Sequence, residues 1–203
     1  MNAVLVRLTR ANSKIFPFIQ ISFTLLTVYF LVTAFEIKWF MLSLFVYFLT
    51  GCLGITITFH RYLSHKSFKM SKPMEYLLSI LGALGGTGSP LGWVAVHKHH
   101  HKYSDRAGDP HSPQQYGWRI LFSTYKFEFD KWQVRHLICD PFHLALHNYY
   151  HLWILLWAGA LWFISAKLLI FGFIVPVTIQ LWASNLSNWG NHLFGYRNFA
   201  TPE

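Results

Sequence analysis

Charge is scarce in this chain. Only 12% of its 203 residues are charged, against roughly 25% in soluble proteins, while 53% are hydrophobic. That balance excludes an ordinary soluble domain and points to an integral membrane protein. Acidic residues are the rarest, eight against 17 Lys and Arg, for a net charge of +9. A basic excess can serve nucleic acid, but 11 of these residues lie between Arg61 and Arg135, outside every apolar run. Such a distribution belongs to a segment kept on the cytoplasmic side of a bilayer, so no nucleic-acid partner is expected. Cysteine is nearly absent. Cys52 lies in an apolar run and Cys139 in the polar middle, too few for a disulfide framework or a thiolate metal cage. No small-residue cleavage site follows Arg7, Arg10 and Lys14, so the N-terminal apolar stretch reads as an anchor rather than a signal peptide. Internal repeats and low-complexity stretches are also missing.

What is abundant is apolar sequence in long runs. A helix needs about 20 apolar residues to cross the hydrocarbon, and residues 16–35 supply them without a charge. Residues 39–59 supply a second span, and the short link at 36–38 implies a tight hairpin. From 149 to 187 the chain is again apolar apart from Lys167, long enough for spans at about 149–166 and 168–187 with a turn near Ser165 to Lys167. Pro176 is expected to kink the last one, which neighbouring helices in a membrane can accommodate. The expected fold is therefore all-α, with four transmembrane helices in two hairpins and a cytosolic histidine-rich helical cap over residues 60–148. In that topology Lys38 and Lys167 stand alone on one side. The other 15 basic residues share the opposite side, which makes the cap and both termini cytoplasmic. Residues 74–84, followed by Gly85, Gly86, Gly88 and Pro90, are too short to cross and predict an interfacial or re-entrant helix ended by a glycine-rich turn.

Histidine is the second abundance: 12 in all, seven of them between His60 and His111. Imidazole suits iron, zinc, copper and nickel, and neutral ligands suit a site beside lipid. On a helix, residues three or four apart share a face and neighbours diverge by about 100°. His97 can thus share a metal with His100 or His101, whereas His100 and His101 diverge and suit two metals; His99 points elsewhere. His60 and His65, five apart, are about 140° apart on an ideal helix and can serve one ion only where the helix ends or bends. Asn188 and His192 share a face at the exit of the last span. His111 stays open between ligand and bystander. His143, His147 and His151 recur at i, i+4 but read as interfacial rings before the third span. The sequon at 185–187 falls at the membrane on the cytoplasmic side and is discounted.

The blocks HRYLSH, WVAVHKHHHKYSD with DPHSP, and NWGNHLFGYR resemble successive blocks of the membrane fatty acid desaturase family, across most of residues 50–200. The resemblance implies two iron ions held by His60, His65, His97, His100, His101 and His192, with Asn188 holding a metal-bound water. It also implies an HxxHH box after His192, so the chain reads as truncated before its last ligands and is not expected to be active alone. Trp93 followed by Val94, Ala95 and Val96, where animal acyl-CoA members carry charge, is similar to bacterial and plant members. Lys98 stands where Arg is common, which loses the bidentate fork of a guanidinium.

The activity so implied is insertion of a cis double bond into a saturated acyl chain, using O2 and two external electrons. The acyl group could ride on coenzyme A, acyl carrier protein or a lipid, and the electrons could come from a donor such as cytochrome b5 or ferredoxin. Thr56, Cys52 and Phe48, one, two and three turns below His60, are the expected walls of the acyl channel. A histidine-box hydroxylase or sterol oxidase, and a non-enzymatic metal-binding or transporting membrane protein, are the alternatives. A transporter path needs polar groups within its spans, and these spans are nearly charge-free.

Overall fold

The computed structural model describes residues 2–122 and 131–196, and every regular element among them is helical. Arg197 and Lys126, both part of the basic count above, lie outside the described residues. Seven principal helices follow one another: α1 Asn2–Thr33, α2 Ile37–Ser64, α3 Lys72–Leu84, α4 Pro90–Tyr103, α5 Pro141–Asn148, α6 Tyr150–Ile164 and α7 Ala166–Leu193. Short helical turns, Pro113–Tyr116 and Gly117–Phe122, then Lys131–Val134 and Arg135–Ile138, connect α4 to α5.

Among the described residues, three helices are long and apolar enough to cross a membrane: Ile15–Thr33 within α1, α2 and α7. The span expected at 149–166 is instead the 15-residue α6, roughly 22 Å long at 1.5 Å per residue and so short of a core about 30 Å thick. It stops because Ser165 is extended, at φ −167°, ψ 136°. The break falls at the expected turn, where the Ser165 hydroxyl accepts the Lys167 N–H at 3.2 Å. Next to it Glu36, in the α1–α2 link, pairs with Lys167 and, at 2.9 Å, with Lys38. These two ammonium groups hold the Glu36 carboxyl down at about 2.

From Phe48 to Ser64, α2 widens so that hydrogen bonds reach back five residues instead of four. The Thr58 and Ser64 hydroxyls donate to the carbonyls of Leu53 and Phe59 at 2.8 and 2.7 Å. At the end of the helix the His65 N–H reaches the His60 carbonyl at 3.1 Å. In α7 the same winding occupies Ile170–Ile174 and ends two residues before Pro176, where the ring that lacks an N–H is accommodated.

α3 lies against α2 through facing glycines. A Cβ on Gly54 would sit 2.3 Å from the Gly82 nitrogen, so the two backbones touch where any side chain would part them. α3 ends as expected at a glycine turn, with Gly86 and Gly88 at φ 79° and 110°, values that L side chains rarely adopt. Ser89 then caps α4 by accepting the Gly92 N–H at 3.2 Å, and Pro90 takes the first helical position. The buried apolar cluster of Phe59, Leu63, Leu91, Val94, Val134 and Leu137 fastens α2 to α4 and to the turns before α5. Above this cluster stand the histidines.

Candidate metal centre

The wide winding of α2 answers the spacing problem at His60 and His65. With hydrogen bonds spanning five residues, His60 and His65 are the two ends of one such bond, and their rings meet at 4.7 Å. The helix ends at Ser64, before His65, which caps it, so the chain turns between the two histidines as their spacing requires. α4 presents His97 and His101, one turn apart, to the same space. His97 Nε2 lies 3.0 Å from His65 Nε2 and 3.1 Å from His101 Nε2. The ligand nitrogens of His60, His65, His97 and His101 all lie within 4.8 Å of one another. Trp93 stacks on His97 at 4.9 Å, 26° from parallel, and fixes its plane. Burial, with the imidazoles of His101, His60 and His65 beside it, pushes His97 down to about 2. Its ring is therefore neutral at physiological pH, the form that ligates a metal.

His100 points to a neighbouring space, as its divergence from His101 predicts. Its ring meets His192 of α7 at 5.0 Å and His111 at 5.5 Å. Two carboxylates back this second group. Both oxygens of Asp109, which is fully buried, lie 2.9 and 3.0 Å from His100 Nδ1; Asp105 Oδ2 lies 2.9 Å from His192 Nδ1. An ionised carboxylate only accepts, so Nδ1 carries the proton in both rings and Nε2 keeps a lone pair that can ligate a metal. Burial opposes ionisation of Asp109, but His100 and the backbone N–H groups of His111 and Asp105 outweigh it and hold its carboxyl below the usual range. His111 is pushed down to about 3, by burial first and then by His100. Asp105 and Asp109 were missed in the sequence. The available signal was that two of only eight acidic residues fall within nine positions of the second box.

Asn188 stands one turn before His192 on α7 and is half-buried. His99 turns away, its Nε2 3.1 Å from the Gly108 carbonyl. His143 and His147 are not interfacial rings: both are buried, because α5 packs into the angle between α3 and α4. His143 Nε2 meets the Ser79 hydroxyl at 3.2 Å and His147 Nδ1 meets Ser89 at 2.6 Å. His151 alone of that series is exposed. The sequon asparagine is also buried, its Nδ2 donating to Gln20 Oε1 and the Leu121 carbonyl.

Phe48 and Thr56 lie on the outer face of α2, with Cys52 half-buried. An apolar pocket of about 240 Å³ opens instead between α2, α3, α6 and α7, lined by Val46, Leu49, Thr50, Leu84, Trp157 and Val177 among others.

The donor set suits a transition metal: neutral imidazoles in two adjacent groups, two of them oriented by carboxylates. No family model matches the chain. It is 33% identical over 168 residues to the sn-2 palmitoyl-lipid 9-desaturase of Nostoc sp. (strain 36), covering 78% of this chain and 59% of that one. It is 43% identical over 102 residues to the chloroplastic palmitoyl-monogalactosyldiacylglycerol delta-7 desaturase of Arabidopsis thaliana, covering 49% and 27%. Over 61 residues it is 51% identical to the hex-5-enoyl-[acyl-carrier protein] acetylenase of Moorena producens, covering 30% and 19%. The chain thus spans about a fifth to three fifths of the relatives it matches. With histidine groups of this geometry on an all-helical membrane scaffold, and desaturases of plants and cyanobacteria as relatives, the chain belongs to the fatty acid desaturase family.

Proposed function

We propose that the complete protein is an oxygen-dependent fatty acyl desaturase that inserts a cis double bond into a saturated acyl chain. The observation that carries this reading is the division of the second box between two histidine groups. His97 and His101 join His60 and His65, and His100 joins His192. The first four would hold one iron; His100 and His192, with Asn188 through a water, would hold the other. When bound, two irons would supply the redox chemistry that reduces O2 to two waters with two external electrons, two protons from solvent and the two hydrogens taken from the acyl chain.

The protein's own part is placement. Asp105 and Asp109 keep the Nε2 atoms of His192 and His100 turned inward. Trp93 keeps His97 in plane, and burial keeps that ring neutral. The apolar pocket excludes water and is sized for the far part of an alkyl chain, since 240 Å³ is below the roughly 300–1,000 Å³ of sites that hold whole ligands. Thr50 stands ten residues before His60 in the same widened stretch of α2. Bond position would then follow from the distance between metal and pocket, with Leu49 and Thr50 bearing on chain length more than Phe48 or Thr56, and Cys52 between the two sets.

The membrane topology in this reading has four passes, α6 with its flanking residues forming the third, and the histidine face and both termini cytoplasmic. The ion pairs of Glu36 with Lys38 and Lys167 support a common opposite side for the two hairpin links, as does the basic excess of the cap. The relatives' names include lipid-linked and carrier-protein-linked substrates; the uncharged Trp93–Val96 stretch favours a lipid-linked acyl group. Electrons would come from a small donor such as ferredoxin or cytochrome b5. The test is expression of the complete coding sequence in a host rich in saturated lipid, with fatty acids analysed by mass spectrometry. New monounsaturated chains are expected, absent in His97→Ala. Hydroxylated chains would move the protein to the hydroxylase reading, and unchanged lipids with bound metal to the metal-binding one.

A further inference from the structure

Outside the histidine groups, a buried polar knot joins α2, α3 and α5. Its centre is Glu75, only 3% exposed. Glu75 Oε2 accepts the Tyr62 hydroxyl at 2.8 Å and Oε1 accepts Lys72 Nζ at 2.9 Å. Lys72 also donates to Asp140 Oδ2 at 3.0 Å. Asp140 in turn caps α5 by accepting the Phe142 N–H at 3.0 Å, and it accepts the Tyr76 hydroxyl at 3.2 Å. His143, fully buried, closes the knot with Nδ1 3.4 Å from Asp140 and Nε2 3.8 Å from Glu75. Ligand atoms of Glu75, Asp140 and His143 lie within 4.8 Å of one another, near enough to hold a cation. The cation that stands there is the Lys72 ammonium, and it satisfies both carboxylates at once.

A buried ionised carboxylate is unfavourable unless it is paired and hydrogen-bonded, and Lys72 and Tyr62 do both for Glu75. What Glu75 grips is Tyr62, the residue midway between His60 and His65. The turn carrying both histidines is the last of α2, where a helix tends to fray, and backbone closure there rests on the wide His65-to-His60 bond. Two imidazoles serve one ion only when held to about half an ångström. A hydrogen bond to a charged acceptor is roughly twice as strong as a neutral one, and it reaches Tyr62 from α3, whose backbone is pressed on α2 at Gly54 and Gly82.

We propose that Glu75 is a positioning residue for the first histidine box, acting through the Tyr62 hydroxyl. Lys72 pairs with both Glu75 and Asp140, keeps the Glu75 carboxylate aimed, and so ties the metal centre to the packing of α5. This rests on the reading of His60 and His65 as metal ligands.

The experiment uses the complete protein with Co2+ as the probe. Tyr62→Phe deletes one hydroxyl, and Glu75→Gln keeps an acceptor but drops the charge. For each, cobalt affinity and the visible spectrum of bound cobalt are measured with the thermal midpoint of the metal-free protein. Two comparisons accompany them: His97→Ala, and Thr27→Val, which removes the buried Thr27–Thr178 bond at 3.0 Å. Expected are at least tenfold weaker cobalt binding and an altered spectrum in both Tyr62→Phe and Glu75→Gln. The midpoint of Tyr62→Phe should fall no further than that of Thr27→Val. Wild-type affinity and spectrum in Tyr62→Phe, with binding lost in His97→Ala, overturns the proposal alone; so does an affinity loss that only tracks a fallen midpoint. Wild-type cobalt binding in His97→Ala overturns the metal-site reading itself.

Discussion

Replacing Asp109 by Asn should empty the second histidine group while sparing the first. The Asp109 carboxylate is fully buried and takes donors on both oxygens. His100 Nδ1 lies 2.9 and 3.0 Å away, the Asp105 N–H donates to Oδ2 at 2.8 Å, and the His111 N–H donates to Oδ1 at 2.8 Å. An amide has a single oxygen, so whichever way it turns, its NH2 faces a backbone N–H, and His100 loses its charged partner. A hydrogen bond to a charged group contributes about 1.5–3 kcal/mol. At roughly 1.4 kcal/mol per tenfold, metal affinity at His100 and His192 should fall by about ten- to a hundredfold, the range seen when the partner of a ligating histidine is removed. Asp105→Asn should do less, because Asp105 is partly exposed and water can replace part of what it gives His192. The assay is metal content per chain of the complete protein after dialysis against a weak chelator. Asp109→Asn should retain one ion where the wild type retains two. Two ions at wild-type affinity in Asp109→Asn would refute the role given to this carboxylate.

Gly54→Ala should destabilise the protein by about 1–3 kcal/mol or more, because the new Cβ would meet the Gly82 backbone at 2.3–2.4 Å; an unchanged thermal midpoint would show that α3 is free to move. Burial, aided by His151, pushes His147 down to about 4, so between pH 6.5 and 4 the unfolded chain binds a proton that the folded chain refuses. Stability is therefore lost as pH falls through that window, by at most about 1.4 kcal/mol per pH unit. Midpoints of the metal-free protein should fall less steeply in His147→Gln, and parallel curves would remove His147 as a cause. Enlarging the apolar pocket with Leu49→Ala should lengthen the preferred acyl chain more than Phe48→Ala does; the reverse order in product analysis would return the channel to the outer face of α2.

The membrane class, the helical content and the two histidine boxes were legible in the sequence because each is a local property. Apolar runs of 20 residues, the i, i+3 and i+4 spacing of His97, His100 and His101, and the glycine turn after Leu84 follow from helix geometry alone. The divergence of His100 from His101 is such a property too, and the structure gives them different histidine neighbours. The resemblance carried by HRYLSH and HKHHH in the chain itself matches the family the relatives show. What required the tertiary structure is what depends on partners distant in the chain. His60 and His65 meet because α2 widens where it packs on α3 and ends at Ser64, a change no ideal-helix wheel contains. His143 and His147 are buried because α5 falls between α3 and α4. Asp105 and Asp109 acquire their roles only when the loop after α4 folds back on His100 and α7 delivers His192. Helical periodicity reports which residues share a face; which face meets which, and what becomes neutral or charged when it does, is set by packing.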